Sequence, residues 1–487
     1  VARLDTTLSA DPGLRAELLT LSGTIYRKLG SFDASIRALE RAAEAAGAPG
    51  VAPAARPAAL KALGSALKEA GQLERAEHVL RESVAAWEST VGRDHPETAS
   101  AMSELANVLA RRGAKDEAER LHREVLAIDV RAHGRQHRAV VSDLDNLGVF
   151  LLDAGKFDAA DEAFAEALSI ARRVGDEGDP LVVTVLGNLA VLRSMQERTE
   201  ESLDYQRQVL AVRRRIYGGS HPGVALSPSN IAPTLVNAGR LDEGQATHQA
   251  ALDIRMRALG PSHPDSAVSL NGLAVVAYRR GDLPAAIKAM REAVAAWRIA
   301  PGEHSPAHLT GMNNLGVMLT DAGEVVEAEH LLRKALEERK RVLGAENPET
   351  AHSMRNLAVL LHRTNRDAEA ERLARTALGL QARLLAEEHP RRLDAMATLG
   401  AILLARGGHR EAEPLLRAAE AGRQKRFGDG HPDVLEARGL VGACLLARGE
   451  ASGEAILATC RDALAARPGQ QARAAELTRY LRVRPRG

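Results

Sequence analysis

The 487-residue chain is poor in aromatic side chains: two Trp, five Tyr and five Phe make up 2% of its residues. A single large globular core normally uses aromatic rings to fill its volume, so this scarcity favours many thin aliphatic layers. Grooves that bind single-stranded nucleic acid also depend on stacked rings. The aromatic content therefore argues against one large core and against a single-strand-binding groove.

The chain also lacks net charge and long apolar runs. Its 65 basic and 64 acidic residues leave a formal charge of +1, whereas nucleic-acid binders usually carry a basic excess. No stretch reaches the roughly 18 apolar residues of a membrane helix, and no secretory signal is present. We therefore expect a cytoplasmic protein that neither binds nucleic acid nor inserts into a membrane. Because the chain begins at Val1 rather than Met, we expect a processed product or a fragment.

Cysteine and catalytic motifs are scarce as well. Cys444 and Cys460 are the only cysteines, too far apart for a CxxC site and too few for a disulfide framework. We expect both to be small buried apolar residues. The sequence contains no P-loop, HExxH, GxSxG elbow or GxGxxG after a strand. It therefore predicts no catalytic residue, no cofactor and no enzyme activity.

What the chain does contain is a repeat with a period of 42 residues. A two-residue motif, most often His-Pro, recurs at this interval without insertion. Its nine copies begin at the following positions: His95, His137, Asp179, His221, His263, Ser305, Asn347, His389 and His431.

A second position in the same phase holds glycine in seven units, with Glu197 and Asn365 in the other two. Glycine just after an apolar run is typical of a helix C-cap, and proline tolerates the first position of a helix. Each unit therefore predicts a helix, a glycine turn, a second helix and a loop. In the unit that starts at Pro96 we expect helices over 96–112 and 115–131. Neither helix can bury its apolar stripe alone, but stacked units bury it continuously.

The pattern extends weakly in both directions, which gives about eleven antiparallel helix pairs. We predict an all-α, right-handed superhelical solenoid. Its predicted parts are an N-terminal helix pair over 1–47, a linker over 48–57, the array over 58–467, and a capping helix with a basic tail over 468–487.

The small-residue spacing resembles the tetratricopeptide repeat (TPR). The Gly-x-x-His-Pro loop of Gly260 to Pro264, followed by Leu270 and Ala274, resembles the kinesin light chain type with its 42-residue repeats. The resemblance covers nearly the whole chain and departs from the family in its few aromatics. It implies a helical solenoid that binds protein ligands, with asparagines of the first helices contacting peptides.

The start of the chain carries a narrower resemblance. The segment Asp11–Leu19, followed by Gly23 and Tyr26, resembles the beginning of the repeat region that follows the kinase domain in bacterial serine/threonine kinases. It implies an upstream kinase domain in the same chain, in which case the repeats are a regulatory or sensor arm. A self-assembling structural solenoid is a third hypothesis.

Polar residues on the first helices are the candidate binding residues. A column of amides can hydrogen-bond the backbone of an extended peptide without selecting its sequence, but it can equally bond neighbouring repeats. The candidates for peptide binding are Asn107, Asn146, Asn188, Asn230, Asn271, Asn313, Asn314 and Asn356.

A basic cluster of His352, Arg355 and Arg363 suits an acidic or carboxylate ligand through charge-assisted bonds, although ordinary solvated helix faces are the favoured explanation of these residues. The loop histidines do not predict a metal site. One His per unit cannot converge on a single ion at about 2.0–2.3 Å, so we expect these histidines to fix the loop before proline. The favoured function is a non-catalytic scaffold that binds a protein or peptide in its concave groove.

Overall fold

The computed structural model describes residues 11–176, 178–467 and 469–482, so the predicted tail residues Arg484 and Arg486 lie outside the described residues. This part of the chain contains 23 α-helices and no strand. They form eleven consecutive pairs followed by one terminal helix. The predicted all-α repeat solenoid is confirmed. The chain divides into two compact units, of which unit 1 ends at Gly218 and unit 2 begins at Gly219.

Unit 1 contains five helix pairs. Their bounds are α1 Pro12–Lys28, α2 Phe32–Ala46, α3 Ala55–Glu69, α4 Leu73–Val91, α5 Pro96–Arg112, α6 Lys115–His133, α7 Arg138–Asp153, α8 Phe157–Val174, α9 Pro180–Met195 and α10 Thr199–Tyr217.

Unit 2 contains six helix pairs and the terminal helix. Their bounds are α11 Pro222–Asn237, α12 Leu241–Leu259, α13 Pro264–Arg279, α14 Leu283–Trp297, α15 Pro306–Ala322, α16 Val325–Leu343, α17 Pro348–Arg363, α18 Asp367–Leu384, α19 Pro390–Ala405, α20 His409–Phe427, α21 Pro432–Ala447, α22 Ser452–Ala465 and α23 Gln471–Arg482.

The loop histidines are helix N-caps, a more specific role than the predicted one of fixing the loop before proline. The Nδ1 atom of His95 accepts a hydrogen bond from the backbone N–H of Glu97 at 3.2 Å, which satisfies one free donor at the start of α5. Asp179 caps α9 in the same way. The same bond is made by five further histidines, namely His137, His221, His263, His389 and His431.

The turn inside a pair requires a left-handed backbone. Gly113 adopts this conformation with φ of 88°, and the corresponding residues Glu197 and Asn365 adopt it with φ of 61° and 60°. A side chain in this region is strained, less so for Asn than for Glu. The register of the repeat thus imposes a glycine conformation even where glycine is missing.

The two helices of a pair pack through matched side chains. Gly316 of α15 faces Leu332 of α16 so closely that a Cβ on Gly316 would lie 2.7 Å from Leu332 Cγ. In the next pair the equivalent residues are Ala358 and Ala374, both buried. Here the larger residue of the second helix accompanies glycine in the first. The same combination of glycine with a large residue occurs in four other pairs: Gly23 with Leu39, Gly64 with Leu80, Gly148 with Phe164, and Gly400 with Leu416.

A buried polar position lies near the end of several second helices. In α16 it holds Arg339, which is 1% exposed and donates to Ser353 Oγ at 2.9 Å, Thr310 Oγ1 at 2.9 Å and the Glu349 carbonyl at 3.0 Å. In unit 1 the same register holds Asp129, which lies against Asp143 of α7. Burial and then the charge of Asp129 raise the pKa of Asp143 to about 8, so the Asp143 carboxyl keeps its proton at pH 7.

Ion pairs with a separation of 36 residues bridge successive second helices. Arg333 of α16 contacts Glu369 of α18 at 2.7 Å, and Arg375 of α18 contacts Glu411 of α20. Arg81 and Glu117 form the corresponding bridge in unit 1 at 2.9 Å. Each pair is partly exposed, so its contribution to stability is small, about 0–1 kcal/mol.

Candidate binding groove

The first helices form the inner side of each unit. Neighbouring first helices, such as α5 with α7 and α17 with α19, contact each other directly. Among the described residues, neighbouring second helices stay further apart and are bridged by long side chains. The array in each unit therefore curves with its first helices inside. We call the surface that these helices form the inner face.

Unit 1 carries three of the predicted asparagines, one on each of α5, α7 and α9. All three are half-buried. Asn188 Nδ2 donates to Asp145 Oδ1 at 2.7 Å across the repeat boundary, and burial raises the pKa of Asp145 despite this bond. Within residues 11–176 and 178–218, no side-chain hydrogen bond engages Asn107 or Asn146. These two amides keep their full bonding capacity for a ligand.

The asparagines of unit 2 occupy different depths. Asn230 is exposed on α11. Asn314 Nδ2 donates to Asn271 Oδ1 at 3.5 Å, so these two half-buried residues bond each other. Asn313, which is 1% exposed, accepts a bond from Ser353 Oγ at 3.2 Å. The Asn313 side chain therefore bonds to a neighbouring repeat instead of being available to a ligand.

His352, Arg355 and Asn356 form one cluster on α17. Arg355 donates to Asn356 Oδ1 at 2.7 Å, and Asn356 Nδ2 lies 3.3 Å from His352 Nε2. Burial, and then the nearby charge of Arg355, lower the pKa of His352 to about 3. The imidazole is therefore neutral at pH 7, and Arg355 supplies the positive charge of this cluster.

Arg363 lies apart from that cluster, about 12 Å further along α17. It donates to Asp321 Oδ1 of α15, and Tyr278 of α13 donates to Asp321 Oδ2. Burial and then the charge of Asp321 raise the pKa of Tyr278. These three residues join three successive first helices in a row. Sequence reasoning missed the row, although its members are spaced by 42 or 43 residues.

A family model of the tetratricopeptide repeat matches residues 55–129, 140–215, 223–299 and 308–383. These four segments cover more than half of the sequence. The chain belongs to the tetratricopeptide repeat family. Two further models of the same repeat match residues 20–89 and 273–341, and residues 392–433. Tetratricopeptide repeats generally mediate protein–protein interaction, and proteins built from them are typically non-catalytic scaffolds.

Several solved structures are similar to this chain. The apo form of RapI is 11% identical with a TM-score of 0.53 and covers 76% of this chain and 98% of its own. TPR-like repeats assigned to a kinesin light chain of Podosopora anserina are 20% identical, with a TM-score of 0.39, 42% of this chain covered and 98% of that chain. BtubC from P. vanneervenii is 20% identical, with a TM-score of 0.39 and coverages of 51% and 92%. No protein of curated function matches the sequence.

The tetratricopeptide units show no metal cluster in the part of the chain that the structure describes. No helix among these residues has the length and apolar character needed to cross a membrane. The polar groups described on the inner face include amides, arginines and carboxylates. Such groups can hydrogen-bond and charge-pair with a protein ligand.

Proposed function

We propose that the chain is a non-catalytic scaffold that binds an extended peptide or a partner protein along the inner face of its repeats. The half-buried amides of Asn107 and Asn146 support this proposal, because no described side chain engages them. Each amide offers two donors and one acceptor, which match the alternating groups of an extended backbone.

The test begins with a peptide selected from a random library on the intact chain, whose Kd is then measured for variants. We expect the double variant Asn107→Ala and Asn146→Ala to bind about 30-fold more weakly, since each lost hydrogen bond contributes about 1 kcal/mol. The matched control, Arg120→Ala with Glu162→Ala, changes exposed residues of second helices and should leave the Kd unchanged. Equal binding by the asparagine variant and the wild type would refute the assignment.

A further inference from the structure

The terminal helix α23 packs with one face against unit 2. Leu477, which is 1% exposed, lies on that face with the buried Ala474. Leu477 fits against Gly439 of α21, where an added Cβ would lie 2.5 Å from Leu477 Cδ1. The exposed residues Ala475 and Arg479 lie four residues apart on the opposite face. The helix therefore has one buried and one exposed face, and α21 carries a notch for its leucine.

The segment of α23 reaches repeats that are not its neighbours. A Cβ on Gly281, in the turn between α13 and α14, would lie 3.3 Å from Gly469 Cα. The charge of Arg473 acts on Tyr278 of α13, and the charge of Glu476 acts on Arg363 of α17. A cap touches only the last repeat of an array. The approach of Gly469 to Gly281, the charge interactions with Tyr278 and Arg363, and the packing of Leu477 on Gly439 instead place this segment across the inner face of unit 2.

The charge of Arg473 on α23 is complementary to the inner face. Arg473 Nη1 donates to Asp433 Oδ1 of α21 at 2.6 Å, and the same nitrogen lies 3.8 Å from Glu436 Oε2. Burial by itself raises the pKa of Asp433, but the charges of Arg473 and Arg423 lower it overall. Arg473 thus faces opposite charges in the groove. Glu476 meets the positive charge of Arg363 but also the like charge of Glu436, and burial followed by Glu436 raises the pKa of Glu476.

We propose that the inner face of unit 2 is a binding site for an amphipathic helix, and that α23 is its internal occupant. The partner is a helix with the same face as α23: an arginine, a glutamate three residues later, a leucine four residues later and a tyrosine seven residues later, as in Arg473, Glu476, Leu477 and Tyr480. Residues at this spacing share one face of a helix. The inference deepens the proposed function by naming the ligand class of unit 2.

Occupancy by α23 makes the site self-blocked. A tethered segment has an effective concentration in the millimolar range, so a free helix at micromolar concentration cannot compete with it. The attachment is nevertheless small. It consists of one partly exposed ion pair and a few apolar side chains, and a 12-residue helix is only marginally stable when free. A single change on the buried face should therefore release α23.

The experiment uses the full chain and a fluorescent peptide of residues 469–482, with binding measured by anisotropy. Leu477→Asp in the chain should release α23, so that this chain binds the peptide at least about tenfold more tightly than the wild type does. The control Arg479→Asp adds the same side chain on the exposed face and should behave as the wild type. A peptide that itself carries Leu477→Asp should not bind. Equal binding by wild-type and Leu477→Asp chains, or binding by neither, would overturn the proposal.

Two further measurements keep the test independent of folding defects. Arg473→Asp releases the helix without altering its apolar face, and circular dichroism should show near-native helicity in both variants. Cys460 is 2% exposed beside Leu477, so its labelling by a thiol reagent should accelerate when α23 leaves. Unchanged labelling in both variants would count against occupancy of the groove by α23. A wild-type dimer that exchanges α23 between copies would count against α23 as an internal occupant. None of these outcomes alters the test of Asn107 and Asn146 in unit 1.

Discussion

The match between Gly316 and Leu332 predicts that one substitution changes sign with its background. In the wild type, Gly316→Ala places a Cβ 2.7 Å from Leu332 Cγ. In a chain that already carries Leu332→Ala, the same methyl group enters the space that the leucine has vacated. The double variant then reproduces the pair Ala358 and Ala374 of the following repeat.

The magnitudes follow from packing and helix propensity. Alanine is about 1 kcal/mol better than glycine inside a helix, but overpacking a well-filled core costs about 1–3 kcal/mol. Gly316→Ala alone should therefore destabilise unit 2 by up to about 2 kcal/mol. Leu332 is fully buried, so Leu332→Ala should cost about 2–5 kcal/mol. Adding Gly316→Ala to that variant should recover about 1 kcal/mol or more, which gives a coupling energy of about 1–3 kcal/mol.

Urea denaturation followed by circular dichroism measures the four free energies of unfolding in this cycle. Hydrogen exchange in α15 and α16 provides a local measure, because repeats can open separately. Ala358→Gly serves as a control and should destabilise by about 1 kcal/mol, since no large side chain opposes Ala358. The reasoning fails if Gly316→Ala has the same effect with Leu332 and with Ala at position 332.

Two other substitutions test the buried carboxyl pair and the strained turn. Asp143→Asn should flatten the pH dependence of stability between about pH 4 and about pH 8, that is, between the ordinary pKa of an aspartate and the raised pKa of Asp143. Burial and Asp129 raise the pKa of Asp143, so the folded chain keeps a proton that the unfolded chain releases, and wild-type stability falls as the pH rises. Urea midpoints across this range check it, and parallel curves would contradict it. Glu197→Gly should stabilise unit 1 by about 1 kcal/mol because it relieves a φ of 61°. The melting temperature measures this gain, and Asn365→Gly should gain less; a loss of stability at Glu197 would disprove the strain.

The regular features of the fold are predictable from sequence because each depends on local chemistry. Proline and glycine mark the ends of a helix directly, and the predicted helices 96–112 and 115–131 correspond to Pro96–Arg112 and Lys115–His133. The N-cap role of His95 likewise follows from its place before proline. Each of these contacts lies within one repeat, where the 42-residue period is visible in the sequence.

Contacts between repeats are less predictable. The same register holds Arg339 in one repeat and Asp129 in another, because a buried polar position accepts any group that its neighbours can satisfy. The contact of α23 with distant first helices leaves no periodic trace at all. The boundary between the two compact units after Gly218 is not visible in the sequence either, since the next motif, His221-Pro222, keeps the 42-residue spacing. The candidate residues all lie on first helices, but the sequence pattern does not distinguish them by depth or partner.

The inner and outer sides of a unit are held together by different contacts, and this difference affects how the unit bends. First helices contact one another directly, whereas second helices are tied by arginine–glutamate bridges such as Arg333 with Glu369. A force that straightens a unit compresses the outer side and extends the inner one, and a force that bends it further stretches the bridges first. Because the bridges are screened by salt, the outer side is the compliant one, and its stiffness depends on ionic strength. The bending stiffness of each unit therefore depends on the salt concentration through its outer side.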